Sequence, residues 1–261
     1  MDKACLDTVE GNPRTRVAQV VANYAGLSLE FVDTKPFGPG GVGEEYKSKY
    51  PLGLVPAFEK GDFSLTESVA IAYYLANQNE QGAALLGKNK EDAAKVQQWV
   101  EFANMYLLTS LGAWFGPILG MEPYNKAGVE RAKEKVTKAA AILEDALKTR
   151  TFLVGDRLSL ADIFVASVLG RGFERVLDPA FRKSHVNIVR HFNTVIHQKP
   201  FFDVLGGEPP LCDKAIEYVP PKKEAKPAAA PKAEAPKPAA AAPAAPAAAA
   251  GDDEAAPAPK P

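Results

Sequence analysis

Half of the prolines in this chain, 11 of 22, fall in its last 42 residues, from Pro220 onward. Between them lie Lys, a few acids and long runs of Ala, such as Ala247 to Ala250, with no larger aliphatic side chain. Nothing there can bury enough apolar surface to offset about 1–2 kcal/mol of backbone ordering entropy per residue. Each Pro also removes a backbone donor and interrupts any helix. Residues 220–261 therefore read as a disordered, extended Ala/Pro/Lys-rich tail, either a linker to something further or a free arm. The folded part is confined to about residues 1–219.

Charge narrows the function. Lys and Arg number 31 against 32 Asp and Glu, a formal net charge of −1, which argues against a polybasic surface for direct nucleic-acid contact. No stretch approaches the roughly 18 uninterrupted apolar residues of a membrane span. The opening Met1-Asp2-Lys3-Ala4-Cys5-Leu6-Asp7 places acids where a signal peptide would be apolar. Cys5 and Cys212 stand at opposite ends and form no disulfide pattern, so a reducing, cytoplasmic location is expected.

Within the folded part the pattern changes near residues 81–89, which read as an interdomain linker. Before it, helix and strand signals alternate over residues 1–80. Lys3 to Val9 makes a poor first strand, short and broken by Asp7. Val17, Val20, Val21 and Tyr24 share a helical face behind Asn12-Pro13, a cap and first-turn proline, and Gly26 ends that helix. Leu27 to Val32 predicts a strand, and Pro36 to Gly43 a loop. Leu54 to Phe58, the Gly61-Asp62 turn and Phe63 to Leu65 predict a hairpin, and Thr66-Glu67-Ser68 opens a helix through Ala76. Over residues 90–219 every strong signal is helical: Ala93 to Leu111, a run marked by Val129, Val136, Leu143 and Leu147, an all-apolar helix from Leu160 to Leu169, and Val186 to Ile196 before Pro200. An α/β half joined to an all-α half is the architecture these patterns imply.

Common catalytic motifs are missing from the sequence. His185, His191 and His197 are six apart and do not share the i, i+4 face of a metal pair. No phosphate loop or dinucleotide fingerprint occurs, and Pro39 interrupts the glycines of Gly38 to Gly43. Trp99, Phe102, Tyr106, Trp114 and Phe115 read as core packing. Ser159 and Asp162 form a structural capping box at the start of the buried helix, with Asp in place of Glu.

Leu54-Val55-Pro56-Ala57, Glu67-Ser68 at a helix start, and Gly155 to Asp162 together resemble the glutathione transferase superfamily. That resemblance implies a thioredoxin-like N-terminal domain and a helical C-terminal domain. It also implies a cis proline at Pro56, backbone pairing of Val55 with the cysteinyl part of glutathione, and Glu67 and Ser68 at its γ-glutamyl end. A helix N-terminus suits that carboxylate, because its N–H groups and dipole are positive. Glu67 to Leu75, Gln98 to Ala103, Asn125-Lys126 and Thr149 to Gly155 are similar to the gamma-subunit family of translation elongation factor 1, and so is the Lys/Ala/Pro tail. In that family a further conserved domain follows the linker; this sequence contains none of it.

Two functions follow as expectations from the resemblance. One is a structural subunit that anchors the nucleotide-exchange subunits of elongation factor 1. The other is a stand-alone, cytosolic, homodimeric transferase joining glutathione to an electrophile, with Thr8 or Thr15 as partner of the thiol. The sequence departs from a serine-type transferase at Gly11, where the hydroxyl would stand, and has Leu54 where many members carry Lys. A third outcome is a paralogue that keeps the fold and neither activity.

Overall fold

A computed structural model of the chain describes residues 4–8, 11–34 and 41–220. The expected tail, and most of the Pro36 to Gly43 loop, lie outside the described residues. Four strands form one sheet in the order β2-β1-β3-β4, with β1 Ala4–Thr8, β2 Glu30–Asp33, β3 Ala57–Lys60 and β4 Phe63–Leu65. β1 runs parallel to β2 and antiparallel to β3, so Leu6 faces Phe31 on one side and Phe58 on the other. The β3–β4 hairpin turns through Gly61-Asp62, as the sequence predicts.

The segment that looks weakest in isolation is the central strand. Pairing on both edges and complete burial of Leu6 outweigh the poor propensity of Cys5 and Asp7. Asp7 is accommodated by Thr34, whose hydroxyl donates to its carboxylate at 3.0 Å. β2 also begins later than expected. Leu27 is spent closing helix α1 (Pro13–Tyr24): its N–H bonds to Ala22 O while Gly26 N–H bonds to Asn23 O. Gly26, at φ 62, supplies the left-handed residue that this C-terminal motif needs.

After the short α2 (Glu44–Lys49), α3 (Ser68–Ala76) buries Ile71, Ala72, Leu75 and Ala76 and packs on α1 and β3. A small α4 (Glu80–Ala83) precedes a long helical run in the second half. Its parts are α5 (Lys90–Glu101), a π-helical stretch at Phe102–Leu107 and α6 (Leu108–Ile118), longer at both ends than the sequence predicts. α7 (Lys126–Leu147) buries Val129, Val136, Leu143 and Leu147, the residues that marked it. α8 (Leu160–Arg175) is apolar nearly all round because α1, α5 and α10 (Val186–Ile196) surround it. Four helices go beyond the sequence reading: α2, α4, α9 (Pro179–Ser184), capped by Asp178 at 3.0 Å, and α11 (Lys199–Leu205), which Pro200 starts. α4 and the 3-10 turn at Ala84–Leu86 fill most of the stretch read as the 81–89 linker, because Asn79 caps α4 by accepting the Gly82 N–H. One hydrophobic core runs from Leu6 and Phe58 through α1 and α8 to Phe201. Among the described residues, no helix is long and apolar enough to cross a membrane.

Candidate functional site

The loop into β3 contains a cis peptide bond between Val55 and Pro56. Pro56 is buried, Val55 half-buried, and the carbonyl of the exposed Leu54 accepts the Tyr46 hydroxyl at 2.9 Å. Just before α3, Glu67 has φ 67 and ψ 114, and it is the sole non-glycine residue with positive φ among the described residues. Its side chain makes no capping bond, so the first-turn N–H groups of α3 lack a side-chain acceptor. Ser68 follows at 3% exposure, and its hydroxyl has no partner among the described residues. Strain and an unmet donor thus meet at one helix start.

The start of α1 lies opposite. Asn12 accepts the Arg14 N–H at 2.9 Å, Pro13 sits in the first turn, and Gly11 holds φ 75. Arg14 reaches into the helical half, where its Nε donates to Asn104 Oδ1 at 2.9 Å. Burial pushes the Arg14 guanidinium down from its ordinary range, and Glu67 opposes that shift by its negative charge. Arg14 and Glu67 are therefore close enough to feel each other across the gap between the two helix starts. Asn104 is itself buried, on the π-helical turn, where Met105 and Tyr106 (38% exposed) point outward. Phe102 and Tyr106 stack at 5.9 Å, and Trp99 meets Phe102 edge-on at 5.3 Å. Those three aromatics form a half-open surface, whereas Phe115 is core as expected. A cavity of about 680 Å³ lies elsewhere, between the sheet and the end of α3 at Ala4, Phe58, Lys60 and Gln78.

Residues 8–77 match the family described as Glutathione S-transferase, N-terminal domain, and residues 108–199 the corresponding C-terminal domain family. The chain is 42% identical to elongation factor 1-gamma of Artemia salina over 226 residues, covering 86% of this chain and 51% of that protein. Against the crystal structure of the GST-like domain of elongation factor 1-gamma from Saccharomyces cerevisiae the TM-score is 0.71 at 30% identity, with 84% of this chain and all of that one covered. The chain belongs to the elongation factor 1-gamma family. It spans about half the length of the curated relatives it matches. A glutathione S-transferase of Methylobacillus flagellatus, solved with glutathione bound, shares the fold at 23% identity and a TM-score of 0.69.

Within this elongation factor 1-gamma fold, the residues expected from sequence are placed as follows. Val55, Pro56, Glu67 and Ser68 occupy the β3 entry and the α3 start. Thr15 is on the buried side of α1 at 2% exposure, its hydroxyl without a partner among the described residues. Thr8 closes β1 opposite Asp33, and its side chain lies outside the described part. Ser159 and Asp162 do form a capping box on α8, far from this site in role. Asp162 accepts the Ser159 N–H (2.8 Å), the Ser159 hydroxyl (2.7 Å) and the Leu153 N–H (2.8 Å), and it hydrogen-bonds His191 Nε2 (2.8 Å). Sequence reasoning missed Arg14 and Asn104. A cation in the first turn of a helix runs against the dipole, and that local contradiction was the available signal. Asn104 gave none, because only the fold brings it 90 positions back to Arg14.

Proposed function

We propose that this chain is a structural subunit of a cytoplasmic elongation factor 1 complex, with its glutathione transferase-like body anchoring the nucleotide-exchange subunits. The observation that carries this reading is the 42% identity to an elongation factor 1-gamma over 86% of the chain. Gly11 adds to it: it has no side chain, and its φ of 75 disfavours any residue with a Cβ, so no serine-type hydroxyl stands at that point. The test is reconstitution of the purified full chain with purified exchange subunits on a sizing column with light scattering. Co-elution at a fixed ratio is the expected result. Separate elution of folded components would defeat the proposal. The same run on the chain alone reads the homodimer implied by the superfamily resemblance.

A second reading, that the body binds glutathione, is favoured by the buried, unpartnered Ser68 hydroxyl beside a bare helix start. In it Val55 pairs with the cysteinyl backbone, Glu67 and Ser68 hold the γ-glutamyl end, and Arg14 supplies positive charge nearby. The two readings are compatible, since a subunit can anchor partners and still hold the tripeptide. Transfer to an electrophile is the further step that conjugation assays would have to detect.

A further inference from the structure

Arg16 lies two residues beyond Arg14, and so on the opposite side of α1 at 3.6 residues per turn. It runs into the contact between α1 and α8. Its Nη1 lies 3.2 Å from where a Cβ on Gly170 would be, and Arg171 Nη1 lies 3.4 Å from the same point on Gly11. Two guanidinium groups thus fill space that side chains at two glycines would take. Arg171 Nη1 pairs with Glu174 Oε2 at 2.8 Å and Arg175 Nη2 with Glu174 Oε1 at 3.1 Å, which engages both oxygens of that carboxylate. Arg16 keeps no side-chain hydrogen bond or ion pair among the described residues. Arg175 Nε is buried and also unpartnered there. Among the described residues, these three cations share one anion, Glu174.

An arginine stays charged in a protein, so among the described residues this cluster holds a surplus of positive charge and of unused donors. Burial and the neighbouring Arg171 both push the Arg16 guanidinium down, with Glu174 opposing. We propose that Arg16 and Arg171 form a binding site for a small oxyanion, a phosphate or carboxylate group, at the junction of α1 and α8. A guanidinium fork matches such a group with two parallel hydrogen bonds. The ligand is small because the site is recessed: the Arg171 and Arg175 side chains are each only 25% exposed. The site is separate from the Ser68 region and does not depend on glutathione binding.

The test is calorimetric titration of the full chain with inorganic phosphate and, in a second arm, with acetate, at constant ionic strength. Saturable binding is expected in at least one arm. Phosphate alone would assign a phosphate-bearing ligand and acetate alone a carboxylate. Arg16→Gln and Arg171→Gln should each weaken it about tenfold to a hundredfold, the range of hydrogen bonds to charged groups. Melting in anion-free buffer is the control for folding, and there Arg16→Gln should match or exceed the wild type because like-charge repulsion is relieved. No saturation in either arm, or binding that survives both substitutions, overturns the proposal. A lower melting point for Arg16→Gln with unchanged anion binding would make the cluster structural and overturn it as well.

Discussion

Glu67 and Ser68 stand next to each other and both carry an unfavourable feature. A non-glycine residue at φ 67 costs about 1–3 kcal/mol, and a buried hydroxyl without a partner costs about 1–3 kcal/mol more. Neither is offset locally, which is the signature of a position kept for something other than stability. Ser68→Ala is therefore expected to leave the denaturant midpoint unchanged or raise it, while weakening glutathione binding about tenfold to a hundredfold in calorimetry. Arg14→Ala should weaken that binding by a similar factor through loss of charge. If both variants bind as the wild type does, the α3 start is not the γ-glutamyl site; if neither wild type nor variant binds, the glutathione reading fails altogether. The Thr66-Glu67-Ser68 helix start was legible in the sequence. The role of Arg14 is not legible there, because its partner Asn104 is 90 residues away.

Among the elements, β1 and α8 carry the most informative polar groups. Asp7 is held above the ordinary carboxylate range, chiefly by burial and further by Glu59, with Thr34 and Lys49 opposing. A carboxyl raised in the folded state adds stability only while protonated, and that contribution is lost as pH rises through the folded pKa. Asp7→Asn, which keeps an acceptor for Thr34, should thus be more stable than the wild type at neutral pH. The difference should close as the pH falls below the ordinary carboxylate range, and melting curves across that range would check it. On α8, both carboxylate oxygens of Asp162 accept hydrogen bonds, and His191 lies fully buried beside it. Asp162→Ala leaves the donors of Leu153, Ser159 and His191 unmet and should destabilise by about 3–5 kcal/mol, read from denaturant unfolding. The capping box was visible as Ser-x-x-Asp, but its links to Leu153 and His191 were not. Such links join positions 9 and 29 residues apart, beyond the reach of any local pattern. β1 was undervalued for a related reason: propensity describes a strand alone, and β1 is stabilised by the two strands beside it.

At the scale of the whole molecule, residues 4–220 contain the core that unites the sheet with α8 and α10. Truncation at Pro220 is expected to leave the melting temperature within about 2 °C of the full chain, since apart from proline the removed segment has no apolar side chain larger than Ala. A larger fall would show that the segment packs on the folded body. The sequence alone predicts that folding stops near residue 219, because proline and alanine cannot sustain a core. It also determined the α/β-then-α order and the positions of α1, α3, α7 and α10, because apolar periodicity and capping residues act within one or two turns. Only the tertiary structure decided that β1 is central, that α9 and α11 form, and that Arg14 meets Asn104 while Arg16 meets Arg171. Those outcomes depend on burial and charge brought together across distant segments, and that energy exists only once the chain has closed on itself.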